Sequence, residues 1–195
     1  MSIYQAMEFI FEKIFVPNKH SFISRKLPLA SNARIHSHRN FELNFITSGS
    51  GRRIVGDNIS GFEKGDLVLL GPNLPHCWEA LDFEKGNDPF CIVTHFSEDI
   101  INSDFFRMPE LEQVVELLKQ SSTGLRFKLD NDSHIRQSLE RMTQLEGLEY
   151  YIEMLKIFNF LLQVDERENL SNPNNSSAVF SKNLDKINKV YEYVF

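Results

Sequence analysis

A mainly β domain followed by a helical region is the fold class this sequence predicts, on three observations. Between about residues 20 and 96, short apolar runs are broken by Gly, Asn, Asp and Pro, the pattern of a β sandwich or barrel. After Ser97 the apolar residues recur at helical spacing instead. The chain has 195 residues, 42% hydrophobic and 25% charged, enough for one full core or for a medium domain with a smaller appendage.

The strand candidates, in order, are Ser21–Lys26, Phe41–Thr47, Arg52–Val55, Ile59–Phe62, Leu67–Leu70, His76–Ala80 and Phe90–Phe96. Ser48 to Gly51 (SGSG) and Gly56-Asp57-Asn58 supply turn residues that tolerate positive φ, as antiparallel hairpins require. Pro109–Gln120 then carries Leu111, Val114, Val115, Leu117 and Leu118 at helical spacing, and Ser121 to Gly124 ends it. Asn131 or Asp132 is placed to cap a second helix through Ile135, Leu139, Met142 and Leu145, which Gly147 breaks or bends. Leu148–Val164 is apolar on most faces, so it must be covered by the β domain or by a second subunit. Asn169–Ser177 has the composition of a linker, and Leu184, Ile187, Tyr191 and Val194 resume helical spacing behind a candidate cap at Ser181. The expected organisation is therefore a β domain over 1–100, a helical region over 101–168, a linker over 169–180 and a further helix over 181–195.

Several functions are disfavoured by composition. A formal net charge of -6 gives no overall attraction for phosphate backbones, so these residues are not expected to read DNA. No apolar run approaches the roughly 20 residues that cross a bilayer, and Glu8, Glu12 and Lys13 interrupt the apolar start of the chain, so neither a membrane span nor a signal peptide is expected. Cys77 and Cys91 form no CxxC pattern, which argues against a disulfide scaffold or zinc finger and points to a reducing cytoplasm.

The chemistry concentrates in His36, His38, Glu42 and His76. Alternate residues of a strand share a face, so Arg34, His36 and His38 point the same way, and Glu42 has the same parity. His76 follows a turn, a strand and a Pro-rich corner, a layout that can return it to one cavity with the others. Three imidazoles and a carboxylate suit a divalent ion of iron, manganese, nickel, copper or zinc. Two other readings stay open: a polar pocket without metal, and the solvent side of a half-buried strand whose other face is Phe41, Leu43 and Phe45. Around this site Arg34 is a candidate partner for an anionic ligand, and Trp78 and Phe22 are candidate apolar walls. His95 reads as a core or edge histidine, His20 and His134 as surface. Cys77 follows His76 directly, and strand neighbours face opposite ways, so that imidazole is poorly placed to activate the thiol.

The spacing His36-x-His38-x-x-x-Glu42, closed by Gly49, resembles the first cupin motif. Gly65 and His76 keep the spacing of the second, where Gly71 replaces a usual Pro, Asn73 a usual Gly and Ala80 a usual Asn. More narrowly, FELNFITSGSGRRIVGDNISGFEKGDLVLLGPNLPHCW is similar to the amino-terminal sensor domain of AraC-family transcription regulators. The helices over 109–164 resemble that family's dimerisation region, and 185–194 resembles the opening helix of its DNA-binding domain.

The resemblance implies a cupin-like double-stranded β-helix (jelly-roll) barrel followed by a helical dimerisation region. It also implies a non-enzymatic protein that binds a small-molecule effector through Arg34, His36, His38, Glu42, His76 and Trp78. A divalent metal (Zn, Ni, Fe or Mn) would lie on His36, His38, Glu42 and His76, and a homodimer would form through helices in 133–164. DNA would be contacted only through a domain beyond residue 195, since 181–195 supplies one helix of a helix-turn-helix domain. The rivals are a metal-dependent cupin dioxygenase or isomerase using the same four ligands, and a free-standing partner that inactivates full-length regulators by heterodimerisation.

Overall fold

The computed structural model describes residues 9–15, 21–30, 33–82, 88–97, 102–129 and 132–173. Their strands are β1 (Phe9–Phe11), β2 (Phe22–Pro28), β3 (Ile35–Ser37), β4 (Phe41–Ser48), β5 (Ser50–Val55), β6 (Asn58–Phe62), β7 (Leu67–Leu70), β8 (His76–Asp82), β9 (Phe90–Phe96), β10 (Leu125–Phe127) and β11 (Arg167–Asn169). The α-helices are α1 (Glu112–Gln120), α2 (Ser133–Met142) and α3 (Gly147–Gln163). One sheet has the order β1-β3-β8-β5-β6 and the other β11-β10-β7-β4-β9-β2. Among the described pairings, β1 with β3 is parallel and the rest are antiparallel. From β3 to β9 the chain passes repeatedly between the sheets, which resemble the two layers of a cupin barrel.

Strand alternation sorts the side chains into separate interiors. Ile46, Val55, Phe62, Val68, Leu70, Trp78, Cys91 and Val93 meet between the two sheets. Phe41, Leu43, Phe45, Leu67, Leu69, Ile92 and Phe96 face the other way, against Val114, Leu117, Leu118, Ile135, Leu139, Met154, Ile157 and Phe158 of the helices. Each such side chain contributes about 1.5–3 kcal/mol through burial, so the helical layer is part of one fold with the second sheet. Consequently β4 is buried on both faces. Two polar ties reinforce the contact: Arg136 of α2 donates to the Thr47 carbonyl at 3.0 Å, and the Tyr150 hydroxyl of α3 bonds Ser24 of β2 at 3.1 Å.

The strands and helices predicted within the described residues are present, β1 and β3 are additional strands, α2 stops at Met142 short of Leu145, and further differences follow. Pro109–Leu111 forms a 3-10 turn before α1, as suits Pro at a helix start. Asp132 occupies the cap position of α2 but makes no capping hydrogen bond, because its carboxylate pairs with Arg136. Short strands β10 and β11 extend the second sheet beyond β7. The segment with linker composition therefore begins inside the fold: Asn169 ends β11, Leu170 and Ser171 are buried, and their amides donate to Gly124 and Thr123 at 2.9 Å. Asn131, His20, residues 174–180 and the helix expected over 181–195 with its Ser181 cap lie outside the described residues. Among the described residues no helix is long and apolar enough to cross a membrane.

Candidate functional site

Three strands assemble the site. His36 lies in β3 and His38 just after it, a bend at Arg39-Asn40 carries the chain into the other sheet, and Glu42 is the second residue of β4. His76 opens β8 directly opposite His36, their rings 4.4 Å apart between centroids. One donor atom from each of His36, His38, Glu42 and His76 lies within 4.8 Å of the others. The solvent-side reading of this strand face does not hold. His38 and His76 are 1% exposed and Glu42 3%, because the first sheet covers the face that Phe41, Leu43 and Phe45 leave free.

Hydrogen bonds at the back of each ring set its tautomer. Nδ1 of His36 lies 3.1 Å from the Arg34 carbonyl, Nδ1 of His38 3.0 Å from that of Asn40, and Nδ1 of His76 2.7 Å from that of Leu74. A carbonyl oxygen only accepts, so all three Nδ1 atoms carry a proton, and each ring presents an Nε2 lone pair once it is neutral; while His38 donates from Nε2 to Glu42 it carries both protons. Such a backbone bond on the remote nitrogen is how metal-binding imidazoles are oriented.

Glu42 is the hub. Its Oε2 accepts from His38 Nε2 and from His95 Nε2, both at 3.0 Å, while its Oε1 accepts from Asn44 Nδ2 at 3.1 Å. His76 Nε2 stands 3.4 Å from Oε2, yet it is buried and has no hydrogen-bond partner. Burial works to raise the Glu42 carboxyl, but the charge that His76 carries when protonated, with the hydrogen bonds from His38 and His95, outweighs it, holding the group well below the usual carboxylate range. For His38 burial is likewise outweighed, here by the Glu42 hydrogen bond and charge, and its pKa is raised. His36 goes the other way: burial and the neighbouring His76 lower it.

The donor set fits a divalent metal. Three Nε2 atoms and an ionised carboxylate converge, and the unpartnered His76 Nε2 is the kind of buried lone pair that a cation satisfies. His36, His38, Glu42 and His76 would hold it, and the ion would supply a Lewis-acidic position for a polar or anionic ligand.

The other expected residues divide. Trp78 is buried between the sheets, its ring 5.9 Å from that of His76 and its indole N–H unpartnered. Arg34 is exposed, and its carbonyl is what it lends to His36. Phe22 is not a wall of this site: it packs with Tyr150 and Tyr151 in the helix-side core. Cys77 turns outward with Ile35 and Ile54, and burial pushes its thiol up to about 12, which leaves it inert at neutral pH. His134 is exposed and stacks on Phe160. His95 and Asn44 reach the carboxylate without having been singled out for the site. Their signal was parity, since His95 shares a face with Val93 and Cys91, but only the β4–β9 register sets it opposite Glu42. Grooves of about 520 and 540 Å³ lie elsewhere, beside Asp66 and Arg126 and beside Lys128 and Phe160.

No family model and no curated protein matches this chain. Solved structures do. An RmlC-like cupin from Shewanella frigidimarina is 16% identical over 43% of this chain and 73% of its own, with a TM-score of 0.35. A cupin 2 conserved barrel domain protein from Rhodopseudomonas palustris is 21% identical over 44% of this chain and 57% of its own, with a TM-score of 0.34. Apo ToxT K231A from Vibrio cholerae is 17% identical over 88% of this chain, with a TM-score of 0.48, and this chain spans 58% of its length. Each is a likeness of fold.

Proposed function

We propose that this chain is the ligand-sensing and dimerising part of an AraC-like transcription regulator, with a metal-supported site for a small polar or anionic effector. The observation that carries the reading is the double burial of β4. Glu42 and Asn44 face the histidines while Phe41, Leu43 and Phe45 face the helices, so a change at the site acts on the strand that floors α1 to α3. A switch of this kind requires the effector to favour one arrangement of that packing over another. The outer side of α3 supports self-association, since Leu148 is 74% and Ile152 44% exposed while the opposite side is fully buried. DNA contact would belong to a domain beyond Phe195, and the site itself would be non-enzymatic.

Metal analysis and light scattering on chelator-free protein test this. The expected result is a dimer with one divalent metal per protomer, whose dissociation constant shifts with metal or effector. A stoichiometric redox-active metal that consumes O2 with substrate would instead establish the rival, a cupin dioxygenase built on the same four ligands. Zinc or nickel alone does not discriminate, because purification loads either onto clustered histidines.

A further inference from the structure

We infer that His95 is a positioning residue of the metal site, outside the four-ligand set, which holds the Glu42 carboxylate in its coordinating orientation. The assignment rests on the metal reading above. His95 lies on β9 directly across from Glu42 on β4, and its Nε2 is 3.0 Å from Glu42 Oε2. It differs from His36, His38 and His76 in one respect. Backbone carbonyls hold a proton on Nδ1 of each of those three, so each offers its Nε2 lone pair to a metal once the ring is neutral, although without metal His38 also donates from Nε2 to Glu42. Among the described residues no carbonyl is bonded to His95 Nδ1, so its neutral ring is free to carry the proton on Nε2, the tautomer that a carboxylate oxygen selects.

His95 and Asn44 therefore grip the carboxylate from both ends. Asn44 Nδ2 donates to Oε1, and His95 donates to Oε2, the oxygen that His38 and His76 surround. Each keeps one lone pair of an oxygen occupied and leaves the others for a cation, which fixes the rotation of the carboxylate before any ion arrives. Groups that orient a metal ligand in this way change metal affinity roughly 10- to 100-fold when removed. The same strand ties the site to the helices: Thr94, next to His95, bonds Ser24 at 2.7 Å, and Ser24 bonds Tyr150 of α3.

Co2+ binding by the 195-residue chain tests the assignment, using parent, His95→Leu and His95→Gln proteins. Leu keeps the volume without a donor, whereas the Gln amide donates from nearly the position of Nε2. The expected result is that His95→Leu weakens Co2+ binding roughly 10- to 100-fold without changing the number of imidazoles reported by the d–d spectrum, and that His95→Gln recovers most of the loss. Long-range 1H–15N spectra of the parent with Zn2+ bound should show His95 protonated at Nε2 and His36, His38 and His76 at Nδ1, a readout independent of how the variants fold. Unchanged affinity in His95→Leu, loss of an imidazole signature on its mutation, or an Nδ1-protonated His95 would each overturn the assignment. A folded parent that binds no Co2+ would overturn the metal reading, and this assignment with it.

Discussion

Glu42 and Leu43 are chain neighbours on β4 that belong to different interiors, the carboxylate meeting His38 and His95 between the sheets and the isobutyl group packing under the helices. Both are almost completely buried, Glu42 at 3% and Leu43 at 0% exposure. Substitutions at the two positions should therefore separate the chemistry of the site from the stability of its support.

Glu42→Gln should abolish high-affinity metal binding, because it removes the only anionic member of the four-ligand group. It also leaves buried imidazole donors facing an amide, so the metal-free protein should lose about 1–3 kcal/mol of stability. Zinc titration calorimetry and urea unfolding measure the two effects, and an unchanged zinc affinity would remove Glu42 from the ligand set.

Leu43→Ala should behave in the opposite manner. The truncation leaves a cavity between β4 and the helices, at a cost of about 2–5 kcal/mol, while one zinc per protomer is still bound. Urea unfolding together with metal analysis of the folded fraction checks this pair of outcomes.

Gly71 and Asn73 explain two departures from the cupin pattern. A Cβ at Gly71 would stand 2.8 Å from Ser122 Cα, and the Gly71 amide donates to the Ser121 carbonyl at 2.7 Å, so neither a bulkier residue nor Pro fits where α1 runs into the β domain. Asn73 has φ +62, a conformation that Asn tolerates better than other non-glycine residues. Gly71→Ala should accordingly cost about 1–3 kcal/mol through overpacking, measured by thermal or urea unfolding against the parent.

Much of this was legible in the chain. Alternation placed Glu42 opposite Phe41 and Leu43, and spacing gathered His36, His38 and His76, because both follow from the two-residue period of a strand. Burial of both β4 faces was not legible, since a polar run at that period reads equally as a solvent face until the first sheet is seen to cover it. His95 was hidden for a related reason: its pairing with Glu42 spans 53 positions, and register over that distance is a tertiary property. β10 and β11 are three residues each and carry Arg126, Arg167 and Glu168, too short and too charged to show a strand period.

His38 and His36 should titrate on opposite sides of the ordinary imidazole value of 6.5, His38 above it and His36 below. A raised His38 contributes stability that is fully present below 6.5 and is lost as pH rises through its folded value. The depressed Glu42 contributes stability present above 4.5 and lost as pH falls through its own folded value. In metal-free protein the stability gap between parent and His38→Gln should thus be widest between 4.5 and 6.5 and should narrow above it. Imidazole 1H NMR and urea unfolding across pH 4 to 9 would show this, and a gap that grows towards alkaline pH would contradict it. Zinc should reverse the alkaline limb, since a metal requires the neutral ring.

The outer side of α3 supplies the last test. Leu148 and Ile152, four positions apart, form a short stripe on the side away from Met154, Ile157 and Phe158. Leu148 and Ile152 are exposed in the single chain, so charges placed there meet water and should alter monomer stability by no more than about 0.5 kcal/mol. In a dimer that buries the stripe, each aspartate would face apolar surface from its partner without a counter-charge. Leu148→Asp with Ile152→Asp should therefore yield a folded monomer with an unchanged far-UV spectrum, an unchanged urea midpoint at low concentration and undiminished zinc binding. Multi-angle light scattering checks the outcome, and a double variant that remains a dimer would move the association surface off this side of α3.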